Sequence, residues 1–270
     1  MVSTFELDGA RPRMFATSPT MAEASSVLPH GAYTTLRTYG GGRRVLRFGD
    51  HLARLRASTG PEGAALAEAD LKRGLATALA AAGHGESRVR LTYAPPRLFV
   101  SIEPLQPLPA ACYEEGVSCV SVPVRRQAPT VKDTRFIRTA QAAYHDLPAR
   151  VHEGLMVTAD GAILEGLSSN FFAVREGILH TDDEHVLPGI TRALVLDLAR
   201  GLLPRAVGPV RLDQIGELDE AFLTSASRGV LPVVRIDRTA IADARPGPIT
   251  RELGRRLDAL VEREAEPLSG

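Results

Sequence analysis

Residues 33–48 constrain the fold most: 33–39 alternate β-favouring side chains, Gly40-Gly41-Gly42 supplies a turn, and 44–48 resume the alternation. This pattern predicts a hairpin. Gly49 and Asp50 then read as the N-cap of a helix over 51–58, and Ala and Leu at helical spacing predict a second helix over 64–82. Strands are expected at 88–93 and 98–103, which makes residues 1–110 a small α/β domain. The proline-rich stretch 104–109 marks its end. Beyond it, 116–124 is extended and 133–151 has helical character. Strands follow at 154–158, 162–164, 170–174 and 177–180, and turns at Asp160-Gly161 and Glu176-Gly177 between them argue for antiparallel sheet. A helix over 191–203, a strand over 220–224 and a terminal helix over 249–265 complete a larger domain, 111–270. The fold class is therefore α/β (α+β) in two domains.

At 270 residues either domain can bury its own core. Lys plus Arg and Asp plus Glu each number 32, so no net charge favours a polyanion, and with no Trp and 5% aromatics a base-stacking surface is hard to build. Nucleic acid is not an expected partner. No run of 18 apolar residues occurs, and the first ten residues carry Glu6 and Asp8, so neither a membrane span nor a leader is expected. Cys112 and Cys119 fit neither a disulfide framework nor a zinc set, which points to a reducing cytoplasm. His180 and His185 flank Asp182 to Glu184, a polar loop rather than a metal site, and no metal is expected. Gly40-Gly41-Gly42 is no phosphate loop, because strand-like residues follow it.

Three chemical features occur in order. Lys132 ends an extended approach; Glu165 opens Glu165-Gly166-Leu167-Ser168-Ser169-Asn170; Gly189-Ile190-Thr191-Arg192 starts an apolar helical run. Each has an ordinary reading alone: a solvated lysine, a turn carboxylate, an N-cap. Together they are an amine for a Schiff base, an acid for a protonated ring nitrogen and a helix start for a phosphate.

This order, with His51-Leu52-Ala53-Arg54-Leu55 upstream, resembles the class IV (fold type IV) pyridoxal-phosphate enzymes. These include branched-chain and D-amino-acid aminotransferases and aminodeoxychorismate lyase, and the resemblance runs from about residue 31 to 232. It implies a two-domain fold type IV enzyme with pyridoxal 5'-phosphate as cofactor and with Lys132, in the larger domain, forming the aldimine. It implies that Glu165 pairs with the pyridine nitrogen in a motif that includes Ser169 and Asn170. Gly189, Ile190 and Thr191 correspond to the phosphate turn, and Arg54 to an arginine reaching the same phosphate. Ser225, Ala226 and Ser227 fall where the family places phosphate and substrate-carboxylate contacts, although many relatives have Thr at the position of Ala226. Tyr33, Arg37, Arg88 and Arg90 are the candidate substrate contacts; Arg88 and Arg90 alternate on one strand and have surface exposure as their ordinary alternative. His51 reads as a structural helix-start residue.

The activity implied is transfer of an amino group between an amino acid, of branched-chain or D- type, and a 2-oxo acid. The alternative is aminodeoxychorismate lyase, releasing pyruvate and 4-aminobenzoate. Ile137 stands five residues after Lys132 where branched-chain enzymes commonly have Tyr, and Thr34 stands where aminotransferases usually have Glu. Tyr33 is the residue expected of the D-amino-acid group. A homodimer is a further implication of the resemblance; the amino donor and its chirality stay open.

Overall fold

The computed structural model describes residues 1–268. By its contacts the chain forms two compact units: Met1–Gln106 with Val131–Arg138 and the chain from Val261 onward, and Pro107–Thr130 with Thr139–Leu260. Val131–Arg138, which the sequence places in the larger domain, is tied to the first unit by backbone bonds. Tyr33 N–H donates to Lys132 O at 2.8 Å, and Thr134 N–H donates to Gly31 O at 3.0 Å. Lys132 is therefore carried by the first unit.

The first unit is built on a seven-stranded sheet. Its labelled strands are β1 (Val2–Asp8), β2 (Arg11–Ser18), β3 (Ala32–Tyr39), β4 (Arg44–Val45), β5 (Ser87–Ala94) and β6 (Arg97–Pro104). Glu266–Pro267 adds the last strand, beside β4, and from there the order runs β4-β3-β5-β6-β1-β2. The β1–β2 hairpin is absent from the sequence reading, because β2 is largely exposed and presents no apolar alternation, with Met14 and Phe15 on the surface. The expected 33–48 hairpin forms with a short second arm, since Phe48 already belongs to helix α2 (Phe48–Thr59). Its N-cap is Arg47 in left-handed conformation (φ 53°), not Gly49 and Asp50. Asp50 lies in the first turn, where a carboxylate suits the helix dipole. Phe48, His51, Leu52 and Leu55 are buried at helical spacing along one face. Helix α1 (Met21–Ser26) is capped by Thr20. A 3₁₀ segment, Gly60–Ala65, delays α3 to Glu68–Ala82, later than the sequence places it.

The second unit holds an eight-stranded sheet of β7 (Val117–Val122), β8 (Val151–Val157), β9 (Ile163–Gly166), β10 (Asn170–Arg175), β11 (Ile178–His180), β12 (Glu220–Ser225), β13 (Gly229–Ile236) and β14 (Thr239–Ala240). The path runs β11-β10-β12-β13-β7-β8-β9, with β14 on β13, and Asn170 pairs back to Glu165. Antiparallel pairs predominate as expected, but β7 lies parallel to both β8 and β13. A parallel pair needs a crossover, and the stretch between β7 and β8 contains helix α5 (Arg135–His145), shorter than the 133–151 stretch expected. The remaining helices are α4 (Ala111–Glu114), α6 (Ile190–Ala199) and α7 (Pro248–Glu264), the last belonging to this unit as far as Leu260. Phe171, Leu223, Leu231 and Ile236 sit in the core. Phe172 stacks on Phe222 with centroids 4.9 Å apart, so β10 and β12 meet in fixed register.

Candidate active site

In the first unit the side chain of Lys132 is half-buried, with Nζ 4.7 Å from the centroid of the Tyr33 ring. Arg90, from β5, holds its guanidinium carbon 4.9 Å from the same ring and donates to Ser25 Oγ and Met21 O of α1. The electron-rich ring face attracts both cations. Strand alternation sends Thr34 to the other face of β3. There its buried hydroxyl accepts from Arg54 Nη2 at 2.8 Å and lies 2.8 Å from His51 Nδ1. Burial, reinforced by the charges of Arg54 and Lys132, holds the His51 pKa well below the ordinary histidine value. The neutral imidazole can thus accept the Thr34 proton and leave the oxygen to Arg54. Arg37 and Arg88 face each other across β3 and β5, and each is engaged by a carboxylate: Arg37 by Glu86 at 2.7 Å, Arg88 by Glu103. Of the four candidate substrate contacts, Tyr33 and Arg90 share their ring contact with Lys132.

In the second unit Glu165 is the penultimate residue of β9 and is 2% exposed. Its carboxylate accepts from Arg126 Nε at 3.2 Å, Asn170 Nδ2 at 3.1 Å and the Leu187 N–H at 3.0 Å. Asn170 Nδ2 also donates to Leu187 O at 2.8 Å. Gly189 is packed so closely that a Cβ there would overlap Asn170 Oδ1 and meet Arg192 Cβ at 3.3 Å. It is the N-cap of α6 and supplies no side-chain cap. The first-turn N–H groups, those of Ile190 and Thr191 among them, have no intrahelical acceptor. The helix starts one residue before the expected 191 and ends at Ala199.

At the end of β12, Thr224 is buried with its hydroxyl oxygen lacking any hydrogen-bond partner. Ser225, Ala226 and Ser227 follow, all half-buried, and Ser225 Oγ accepts from Arg228 Nε at 3.1 Å. Ser169 Oγ donates to Glu153 at 2.9 Å. Sequence reasoning missed Arg126, Glu153, Tyr144 and Arg228. Arg126 lies in a polar stretch beside Arg125 and carries no local signal. Glu153 does carry one: an acid directly before the buried run Gly154 to Met156. Among the described residues no group of three or more His, Cys, Asp or Glu is placed to hold a metal ion, and no helix is long and apolar enough to cross a membrane. The loop with His180 and His185 is organised instead by Asp182, which accepts the backbone N–H groups of Glu184 and His185.

Residues 31–236 match the model of the family described as Amino-transferase class IV. D-alanine aminotransferase of Staphylococcus aureus (strain N315) is 32% identical over 122 residues, 44% of this chain and 41% of that protein. The match thus spans well under half the length of that curated relative. Among solved structures, 4-amino-4-deoxychorismate lyase from Pseudomonas aeruginosa superposes with a TM-score of 0.72 at 25% identity, covering 96% of this chain and 98% of that one. A branched-chain amino acid aminotransferase from T.th., solved with pyridoxamine 5'-phosphate, shares the fold, with a TM-score of 0.77 at 19% identity over 99% of this chain and 98% of that one. The family match takes in the Lys132, Glu165 and Gly189 segments alike, and the chain belongs to the class IV aminotransferases.

Proposed function

We propose that this chain is a pyridoxal 5'-phosphate-dependent aminotransferase moving an amino group between an amino acid, of branched-chain or D- type, and a 2-oxo acid. The observation that carries the reading is the Glu165 carboxylate, buried and held by Arg126, Asn170 and the Leu187 N–H. A buried carboxylate organised in this way suits a cationic ring nitrogen. The donors fit a phosphate too: the uncapped start of α6 and the unpartnered Thr224 hydroxyl are groups that an anion would satisfy. Related proteins point the same way, through pyridoxamine 5'-phosphate in the T.th. enzyme.

Bound pyridoxal 5'-phosphate would supply an aldehyde that captures amines and a protonated ring that withdraws electrons from the substrate carbon. Lys132, whose Nζ lies against the Tyr33 ring, would hold the group through that atom and would move a proton there. Glu165 would accept the ring N–H. In the second unit Ile190 and Thr191, with Ser225, Ser227 and the Ala226 N–H, would bind the phosphate; in the first, Arg54, oriented by Thr34, is a further phosphate candidate. Arg90 is the substrate-carboxylate candidate most closely associated with Lys132. The proposal extends to a homodimer working in the cytoplasm.

One observation favours a second reading. Thr34 is fully buried between His51 and Arg54, and a threonine there is the pattern that resembles aminodeoxychorismate lyases. The deciding assay supplies purified protein with D- or L-amino acids and 2-oxoglutarate, or with aminodeoxychorismate alone. Glutamate with the matching 2-oxo acid is expected, together with loss of bound-cofactor absorbance and of turnover in Lys132→Ala. Pyruvate and 4-aminobenzoate formed without an amino acceptor would replace the transaminase by the lyase.

A further inference from the structure

Glu153 is a fully buried carboxylate that the proposed chemistry does not use. It lies on β8, is 0% exposed, and accepts from Arg228 Nη2 at 2.9 Å, Ser169 Oγ at 2.9 Å, Ser168 Oγ at 3.2 Å and the Tyr144 hydroxyl. These donors come from three segments: α5, the turn between β9 and β10, and the turn after β12. Arg228 reaches further, donating to Ser168 Oγ at 3.0 Å and Ser225 Oγ at 3.1 Å, while its own carbonyl accepts from Tyr113 at 2.9 Å. Gly166, the residue after Glu165, sits directly against this carboxylate: a Cβ on Gly166 would lie 2.8 Å from Glu153 Cγ and would overlap Ser169 Oγ.

Burying an ion pair gives little net stability, and apolar residues of the same volume often serve as well or better. What a multiply bonded carboxylate provides is geometry, because each donor is held in a single direction. Burial and the neighbouring Glu153 charge push the Tyr144 phenol pKa up, so that it stays a donor. Burial opposes the Arg228 charge, but Glu153 together with Tyr144 and Cys119 more than offsets it and raises the Arg228 pKa, so the guanidinium keeps its proton.

We propose that Glu153, with Arg228, is a positioning residue: it locks the 166–170 turn and the 225–228 turn in one register, so that Ser169 and Asn170 meet the same bound molecule as Ser225 and Ser227. The inference rests on the proposed pyridoxal-phosphate reading for what that molecule is, and on side-chain geometry alone for the lock.

The test uses the full-length apoprotein of Glu153→Gln and of Glu153→Gln/Arg228→Gln, the latter removing both charges so that no uncompensated one stays buried. Glu220→Gln is the control, a buried carboxylate bound to Ile249 and Thr250 and to neither turn. Two readouts are taken: amide hydrogen exchange over 166–170 and 225–229 without cofactor, and absorbance titration with pyridoxal 5'-phosphate. Both Glu153 variants should exchange at least tenfold faster in both turns and bind at least tenfold more weakly, even where the double variant regains the wild-type melting temperature; the control should change neither. Affinity that recovers with the melting temperature, faster exchange in one turn only, or an equal affinity loss in the control overturns the positioning role. Wild-type protein that takes up no pyridoxal 5'-phosphate overturns the function instead, and exchange then decides the lock by itself.

Discussion

Gly189→Ala isolates the packing that joins the helix start to the buried acid. The Gly189 backbone, at φ −69° and ψ 138°, is open to any residue, so alanine brings no backbone strain. The cost comes chiefly from the new methyl overlapping Asn170 Oδ1, because the Arg192 Cβ at 3.3 Å has to give by only a few tenths of an ångström. Asn170 is 5% exposed, and moving it breaks or weakens two bonds, one to Glu165 and one to Leu187 O. A bond to a charged group contributes about 1.5–3 kcal/mol and a neutral one about 0.5–1.5, so the loss is about 2–4.5 kcal/mol. Urea denaturation measures it, and a double-mutant cycle identifies its origin. In an Asn170→Ala background the two bonds are already gone and the obstructing oxygen is absent, so Gly189→Ala should there cost less than about 0.5 kcal/mol. An equal penalty in both backgrounds, or a negligible one in the wild type, would refute the reasoning.

Other perturbations probe other parts of the two units. Glu220 accepts from the Ile249 and Thr250 N–H groups and the Thr250 hydroxyl, which makes it a cap for α7 supplied by β12. Glu220→Ala should cost about 2–4 kcal/mol in urea with an unchanged slope; a loss below about 0.5 kcal/mol on that scale would show that the cap is idle. For His51 the folded pKa lies below the unfolded value near 6.5, so the unfolded state takes up the proton first as the pH falls. Stability should therefore decline below about pH 6.5 by up to about 1.4 kcal/mol per unit until the folded pKa is reached, and His51→Gln should lack that component. Identical pH profiles for the two proteins would count against a buried neutral imidazole.

Some of this architecture is legible in the sequence because its cause is local. Alternation over 33–39, the strands at 88–93 and 98–103, and the apolar face of Phe48, Leu52 and Leu55 depend on neighbours in the chain, and the structure has them as β3, β5, β6 and α2. Boundaries fared less well: Arg47 displaces Gly49 and Asp50 as the cap because Phe48 is already drawn into the core. The parallel placement of β7 was hidden because a pairing partner leaves no mark on the strand it joins. Among the candidate site residues, Lys132, Glu165 and Gly189 stand out through their order. Arg126, Glu153, Tyr144 and Arg228 do not, since their meaning lies in what they reach across separations of up to 75 residues.

The order of chemical groups along the chain and the periodicity of its strands and helices thus belonged to the sequence alone, being set by residue type and spacing. Which charge faces which carboxylate was decided only by the fold. An ion pair buried beneath two turns, or a hydroxyl shared by His51 and Arg54, exists once tertiary packing has excluded water and brought distant donors within hydrogen-bond reach.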